Sequence, residues 1–418
     1  MLSPIEHGGL AREPGEERGR QFSIAFVATC PPRQCGIATF SKDLEGALKA
    51  ADGSVRIQWA AINEATSIHP YGPEVRWRIR QGQPESYRAA AEQLNAADVD
   101  VVSLQHEFGL YGTWGDPFED HLTSFLDVLQ KPLVTTLHSV LPEPSPSVRA
   151  AVRRIAERSH QVVVMADRAR SLLIDAYGIV PATVCVIPHG VPPVEPRDRT
   201  KMKEQLDLTG RTIITTFGLV GPRKGIEYMI EAMEVVRQHD PTALYLVVGK
   251  THPELVRRDG EAYRRQLWQL VKDRGLEQHV EFVDEYLTQA QIADYLLASD
   301  IYVTPYLDPK QITSGTLAYA LGAGKAIIST PYAHAVEVLA GERGLLVPFR
   351  SQAQLGQAAL RILGDPALKR RLESNAYVYG RETAWPRVGE RMLAVLRSAA
   401  LAPGLNGTDL RALTAVGG

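Results

Sequence analysis

The sequence has few cysteines and no long apolar run. Its 418 residues include three cysteines, Cys30, Cys35 and Cys185. Three are too few for a disulfide framework and one short of a four-cysteine zinc site, so we interpret them as small packing residues. No stretch approaches the roughly 18 apolar residues of a membrane-spanning helix. These absences argue against a disulfide-stabilised domain and a transmembrane domain.

A strong excess of charge is also missing. The 46 basic residues nearly balance the 48 acidic ones, for a net charge of −2 at pH 7. A near-neutral chain lacks the general attraction to nucleic acid that a strongly basic protein has, so we expect no nucleic-acid partner and leave peripheral membrane contact open. Residues 1–20 have no apolar signal core, which predicts a flexible arm on a cytoplasmic protein. Residues 403–418 predict a similar flexible tail.

The motifs of several common enzyme classes are absent. There is no Walker-type loop, no Gly-x-Gly-x-x-Gly after the first strand, and no Gly-x-Ser-x-Gly nucleophile turn. No His/Glu group has zinc spacing. Asp98 and Asp100 have the spacing of a metal-dependent transferase motif, but they precede a strand instead of following one, so we interpret them as surface capping residues. We therefore expect no metal and no bound cofactor.

Short apolar runs rich in valine and isoleucine alternate with segments of helical period. Six lie in the first half of the chain and six in the second: 22–28, 55–62, 99–105, 132–138, 161–166 and 183–188, then 212–218, 243–249, 280–283, 300–305, 325–330 and 344–348. Runs that are apolar on both faces are typical of parallel strands covered by helices. The alternation predicts an α/β protein with two doubly wound, Rossmann-like parallel-sheet domains.

Domain boundaries follow from the same pattern. We predict a first domain over 21–193 and a second over 194–384, with a proline-rich linker at 188–200. A last helix over 385–402 is expected to cross back onto the first domain. Ligands of such sheets bind beyond the carboxyl ends of the strands, so the functional residues should directly follow the strands.

Three first-half residues stand in such positions. Gly36 follows the first strand and precedes a helix, where it would let the backbone approach a ligand or form a plain tight turn. His106 and His138 each end a strand. Both a hydrogen-bonded structural role and a catalytic role fit these histidines.

In the second half, cations follow two strand ends. Arg223 and Lys224 lie at the entry of a helix, where the macrodipole disfavours positive charge. Their presence there predicts a bound anion, although a solvated basic turn is the alternative. The next strand ends at Gly249, which is followed by the basic residue Lys250 and by His252.

A third strand end carries hydroxyls and small residues. Thr313, Ser314, Gly315 and Thr316 stand at the start of a helix, where hydroxyls and free backbone amides can bind phosphate. Together, the three strand ends predict a diphosphate site between two lobes.

The ordered set of motifs resembles the retaining family-four (group 1) glycosyltransferases of the GT-B fold. The resemblance covers nearly all of residues 22–400, through CGIATFSKDLEGAL, VTTLHS, VIPHGVP, FGLVGPRKGIEYMIEAM and SGTLAYALGAGKAIIST. It implies that the second domain binds a nucleotide sugar, that the first binds the acceptor, and that no metal is needed.

The resemblance also assigns residues. Lys224 matches the lysine that holds the donor diphosphate, and His138 matches the first-domain histidine beside the donor sugar. Gly36 matches the glycine loop over the phosphates, and Glu337 the acid of a Gly-Gly-x-x-Glu-like stretch. His189 replaces the usual asparagine of the linker.

The chain departs from the family's usual pattern at two places. It resembles a branch of the family with a degenerate Glu-x7-Glu motif. Leu219 stands where the family has an arginine, so Arg223 would supply that charge from another position. Gln311 and Tyr319 stand where the family has two glutamates, which receive hydrogen bonds from the donor sugar and the ribose. Gln311 keeps a carbonyl acceptor, whereas Tyr319 keeps only a phenol.

We therefore expect a hexosyltransferase that uses a donor of the GDP-mannose or UDP-glucose type, with a glycan, lipid-linked or small-molecule acceptor and retention of configuration. Lys224, His138 and Gln311 are the expected catalytic residues. Two alternatives stay open: a GT-B phosphorylase or epimerase, and a non-catalytic sugar-nucleotide-binding protein of a glycan-assembly complex, which the missing glutamates favour. The sequence leaves the oligomeric state undetermined.

Overall fold

The computed structural model describes residues 21–33, 35–64, 69–115 and 117–402. The arm predicted over 1–20 and the tail predicted over 403–418 lie outside the described residues. Within them, no helix is long and apolar enough to cross a membrane.

The first half of the chain forms a seven-stranded parallel sheet and a separate short hairpin. The sheet order is β3-β2-β1-β4-β7-β8-β9, and β5 pairs with β6. The strands are β1 (Ser23–Ala28), β2 (Arg56–Asn63), β3 (Val75–Arg80), β4 (Val101–His106), β5 (Gly112–Thr113), β6 (Glu119–Asp120), β7 (Leu133–Leu137), β8 (Gln161–Val164) and β9 (Val184–Val186). The helices are α1 (Gly36–Ala51), α2 (Pro84–Ala96), α3 (Leu122–Leu126), α4 (Pro146–Arg158) and α5 (Asp167–Asp175).

The second half forms a six-stranded parallel sheet in the order β12-β11-β10-β13-β14-β15. Its strands are β10 (Thr212–Phe217), β11 (Ala243–Val248), β12 (Val280–Val283), β13 (Ile301–Thr304), β14 (Ile327–Ser329) and β15 (Leu345–Leu346). The helices are α6 (Arg199–Gln205), α7 (Ile226–His239), α8 (Pro253–Asp259), α9 (Ala262–Asp273), α10 (Gln289–Ala298), α11 (Gly315–Gly322), α12 (Ala333–Val338), α13 (Gln352–Gly364), α14 (Pro366–Glu382) and α15 (Trp385–Leu401). Single 3₁₀ turns cover Pro181–Thr183 and Pro222–Lys224.

Two doubly wound parallel sheets confirm the predicted fold class. Each of the twelve apolar runs contains a strand, and β1 and β11 are buried along their whole length. The expectation of six strands in the first sheet was wrong, because β3 adds a seventh. In β3 only Trp77 and Ile79 are buried, alternating with exposed arginines, so this edge strand lacks the two-faced apolar run by which we recognised the others.

The helix that follows β1 is positioned by its cap and its apolar face. The Cys35 thiol accepts a hydrogen bond from the Ala38 amide, and Phe40, Leu44 and Leu48 are buried against β1 and its neighbours. α1 therefore begins at the carboxyl edge of the first sheet, and its first turns lie where the two domains meet.

The chain returns to the first domain at its end. Val191 bridges to Ala384 where the linker passes α15. Along α15, Val388, Met392 and Leu396 pack in the same buried cluster as β1 and α1. The last described helix thus belongs to the core of the first half of the chain, although the second sheet precedes it in sequence.

Candidate functional site

Lys224 lies in the turn between β10 and α7. Its ammonium group sits 3.8 Å from the centroid of the Tyr306 ring. The residue is half-buried, and no carboxylate of the described residues approaches its nitrogen within 4.0 Å. A partly desolvated cation over an aromatic face, without an acidic partner, favours a bound anion.

Tyr306 connects Lys224 to the start of α11. Its hydroxyl shares a hydrogen bond of 2.6 Å with Oγ1 of Thr316, which lies 3.2 Å from Oγ of Ser314. Tyr306 is fully buried and stacks on Tyr332, with ring centroids 5.4 Å apart. The lysine and the helix start, about 90 residues apart in the chain, are therefore held together by one buried phenol.

The hydroxyl of Ser314 caps α11, accepting a hydrogen bond of 3.3 Å from the Leu317 amide. The Ser314 amide donates to Nδ1 of the buried His334 at 3.1 Å. Among the described residues, the amides of Gly315 and Thr316 donate to no protein acceptor. Two free amides at a helix N-terminus, close to Lys224, are suited to phosphate oxygens.

Two glycines are required by close approaches at this site. A β-carbon on Gly249 would lie 2.2 Å from the Gly218 carbonyl oxygen, and its φ of 133° is unfavourable for other residues. A β-carbon on Gly315 would lie 2.9 Å from Nε2 of His189. The linker histidine therefore faces the N-terminus of α11. His252 follows Gly249, and its amide donates to the Val220 carbonyl at 3.0 Å.

His138 belongs to an aromatic cluster at the end of β7. A hydrogen bond of 3.0 Å joins its Nε2 to Oε1 of Gln105. Phe40 contacts His138, His189 and Trp385, with ring centroids 4.7, 5.1 and 5.3 Å away. Burial, aided by His189 and His106, lowers the pKa of His138 to about 3. Its imidazole is therefore neutral near pH 7.

Two predicted ligand residues make other contacts. The Arg223 side chain is 88% exposed, with Asp308 at 3.8 Å. The carboxylate of Glu337 caps α5 of the first domain, accepting hydrogen bonds from the Asp167 and Arg168 amides at 2.8 and 3.0 Å. Neither side chain joins the Lys224–Tyr306 contact.

Gly36 lies at the start of α1, Gln311 in the loop before α11, and Tyr319 within α11. Gly36 is the first residue of α1, and a β-carbon there would have no atom within 4 Å. The side-chain Nε2 of Gln311 donates to the Thr313 carbonyl at 3.0 Å, within the loop before α11. The Tyr319 hydroxyl donates to Oδ2 of Asp43, on α1, at 3.2 Å.

Sequence reasoning missed Tyr306, His334 and Asp43. Tyr306 lies two residues after the end of β13, so its position after a strand was an available signal. His334 is a lone histidine in a short helix and Asp43 a common helix residue; neither had a local pattern that could have singled it out.

Both halves of the chain match families of glycosyltransferases. The family described as Glycosyltransferase Family 4 matches residues 36–195, and the one described as Glycosyl transferases group 1 matches residues 211–365. Together the two matches, one in each half of the chain, indicate a glycosyltransferase. The family part of the predicted resemblance is thereby confirmed, and the glycosyltransferase motif set spans both domains.

Curated relatives of this glycosyltransferase include mannosyltransferases. One is a GDP-mannose-dependent monoacylated alpha-(1-6)-phosphatidylinositol monomannoside mannosyltransferase of Corynebacterium glutamicum. The two sequences are 24% identical over an alignment that covers 88% of this chain and 96% of the relative. The chain is 26% identical to a phosphatidyl-myo-inositol mannosyltransferase of Mycolicibacterium smegmatis, over 72% of this chain and 71% of that one.

Solved structures share the fold at lower identity. The sucrose-phosphate synthase of Thermosynechococcus elongatus is 20% identical and matches with a TM-score of 0.73, over 90% of this chain and 98% of that one. Anabaena HepE, in complex with UDP and glucose, is 16% identical and matches with a TM-score of 0.70, over 90% and 100%. These likenesses confirm the GT-B fold of the glycosyltransferase.

A groove of about 650 Å³ runs along α4 of the glycosyltransferase, lined by Pro144, Pro146, Arg149, Ala150, Arg153, Arg154 and Glu157. None of the residues around Lys224 or the α11 start lines it. Among the described residues, no group of three His, Cys, Asp or Glu side chains could hold a metal ion.

His334 gives the glycosyltransferase a testable pH dependence. Burial, with the neighbouring His189, lowers its pKa to about 3, whereas an unfolded histidine titrates near 6.5. Between these values the unfolded chain binds a proton that the folded chain does not, so stability is lost as the pH falls. The loss is up to about 1.4 kcal/mol for each pH unit.

We expect His334→Asn to reduce this slope and leave the contribution of the other buried histidines, because the asparagine carbonyl can still accept a hydrogen bond from the Ser314 amide but cannot titrate. Urea unfolding of both proteins at pH 7, 6 and 5 measures the slopes. Equal slopes for the two proteins would contradict a neutral, buried His334.

Proposed function

We propose that the chain transfers a hexose from a nucleoside-diphosphate sugar to a hydroxyl acceptor, with retention of configuration and without a metal ion. The names of the relatives support GDP-mannose as the first donor to test, and UDP-glucose is the second, because HepE has been solved with it. Candidate acceptors are glycans, lipid-linked glycans and small polyols.

The observation that carries this proposal is the position of Lys224. Its ammonium group has no carboxylate partner among the described residues and is connected through Tyr306 to the Thr316 hydroxyl at the α11 start. A diphosphate bound there would receive one full positive charge and two amide hydrogen bonds. This arrangement suits a leaving group whose negative charge grows as its bond to the sugar breaks.

His138 supports a sugar-binding role on the first domain. Its low pKa keeps the ring neutral, so it suits a hydrogen bond to a sugar hydroxyl better than charge stabilisation of the diphosphate. Phe40 holds the ring beside His189, which itself faces Gly315. The sugar would then lie between the His138 cluster and the phosphate-binding helix start.

The chemistry that we propose needs no protein nucleophile. The sugar–oxygen bond to the diphosphate breaks, the leaving phosphate keeps the electron pair, and the acceptor oxygen attacks the anomeric carbon from the same face. The acceptor proton passes to the departing phosphate oxygen. Lys224 and the α11 amides stabilise the phosphate charge throughout.

A two-stage assay tests the proposal. Thermal unfolding is measured with GDP, UDP, ADP and their hexose conjugates, because a bound ligand raises the unfolding temperature by mass action. The best donor is then incubated with acceptors, with and without EDTA, and nucleotide release and product anomer are determined. We expect EDTA-insensitive release of nucleoside diphosphate and an anomer that matches the donor. Binding without turnover would instead identify a sugar-nucleotide-binding protein. Phosphate release from a sugar 1-phosphate and the acceptor, in place of nucleotide release, would identify a phosphorylase.

A further inference from the structure

α1 of the first domain touches the second domain through its polar face. The Asp43 carboxylate accepts a hydrogen bond from the Tyr319 hydroxyl, at 3.2 Å, and the Gln289 side chain lies beside it. One turn earlier, Thr39 lies 3.4 Å from the hydroxyl of Tyr286. The neighbours of Asp43 across the domain boundary are therefore neutral.

Asp43 differs in this respect from the other acid of α1. Glu45 is buried and pairs with Lys42 and Lys49, at 2.7 and 2.6 Å. No cation of the described residues lies within 4.0 Å of Asp43, and burial raises the pKa of its carboxyl to about 6. A carboxylate has about four acceptor sites, so its neutral neighbours Tyr319 and Gln289 leave capacity for further hydrogen bonds from a ligand.

The position of Asp43 relative to the α11 start indicates which ligand group it meets. Tyr319 follows Gly315 by four residues, which is about 6 Å along a helix that rises 1.5 Å per residue. A nucleoside diphosphate with its phosphates on the Gly315 and Thr316 amides would extend its ribose over a distance of this order. In dinucleotide-binding folds, a carboxylate accepts hydrogen bonds from the ribose hydroxyls.

We propose that Asp43 accepts hydrogen bonds from the 2′- and 3′-hydroxyls of the donor's ribose, so that the first domain recognises a nucleotide held by the second. This inference rests on the proposed function. Tyr319 acts as a positioning residue, because its hydroxyl orients the Asp43 carboxylate towards α11. The bound ribose thereby adds a contact between the two domains.

The test uses the full chain and the nucleoside diphosphate that gives the largest thermal shift. Calorimetry compares that ribonucleotide with its 2′,3′-dideoxy analogue, for the wild type, Asp43→Asn and Tyr319→Phe. We expect the wild type to prefer the ribonucleotide at least tenfold. Asp43→Asn should weaken ribonucleotide binding at least tenfold and change dideoxy binding less than twofold. Tyr319→Phe should weaken ribonucleotide binding two- to fivefold. Glu45→Gln, on the same helix, is the control and should leave both affinities unchanged.

The outcomes separate this inference from the proposed function. If Asp43→Asn weakened the binding of both nucleotides equally, Asp43 would be a contact between domains, and ribose recognition would be overturned. No change in the binding of either nucleotide would also overturn ribose recognition. A wild type that binds both nucleotides equally also overturns it, while the proposed function stands. A wild type that binds no nucleoside diphosphate contradicts both. If Asp43→Asn does not fold, the wild-type preference and Tyr319→Phe decide the question.

Discussion

Replacing Lys224 with alanine is expected to lower kcat/KM for hexosyl transfer at least tenfold, and about thirtyfold if half of its attraction is gained in the transition state. A cation about 4 Å from a phosphate charge contributes roughly 4 kcal/mol at an effective dielectric constant near 20. Half of that, about 2 kcal/mol, corresponds to the thirtyfold change. Steady-state kinetics with a saturating acceptor measure the effect.

Arg223→Ala provides the matched comparison for Lys224. Arg223 is the preceding residue in the same turn, but its side chain is 88% exposed and therefore screened by solvent. We expect a loss of less than about threefold. A Lys224→Ala variant that keeps more than a tenth of the wild-type kcat/KM would refute the assignment of Lys224 as the diphosphate-binding cation.

The second large effect is expected at Trp385. This residue begins α15, is 7% exposed, and its ring packs 5.3 Å from that of Phe40. Replacing a buried tryptophan with alanine typically costs about 3–5 kcal/mol of folding free energy. We expect Trp385→Ala to lose stability in this range, measured by urea unfolding, and to lower activity because Phe40 also contacts His138 and His189.

Trp268→Ala is the control for Trp385→Ala. Trp268 is 39% exposed on α9, where it packs on Phe282. The same chemical change there removes less buried area, so a clearly smaller loss of stability is expected. If the two variants lost equal stability, or if Trp385→Ala kept full activity, the proposed role of the Phe40 cluster would be refuted.

Several features of the site could be predicted from the order of the amino acids. Phosphate-binding features are local in the sequence. A cation beside a glycine, as at Lys224, and a capped helix start, as at Ser314, can each be recognised from a few neighbouring residues. For the same reason the predicted residues also included Arg223 and Glu337, whose side chains make other contacts here. Sequence position places a residue beside a strand end, but it leaves the direction of its side chain undetermined.

The residues that join the parts of the site were not predictable in this way. Tyr306 connects Lys224 to Thr316, and His334 accepts a hydrogen bond from the Ser314 amide. Asp43 meets Tyr319 across the domain boundary, from the opposite half of the chain. Each contact depends on how two distant segments pack, which no local pattern encodes.

The sequence alone determined the two-sheet architecture, because parallel strands buried on both faces require two-sided apolar runs, and twelve such runs are present. It also determined the order of the strand-end motifs that identify the family. Only the tertiary structure revealed the edge strand β3, whose outer face is polar, and the neutral state of His138 and His334, which results from burial. It also decided that the acid bonded to Tyr319 belongs to the other domain. Burial and contacts between domains depend on packing in three dimensions, and linear spacing does not record them.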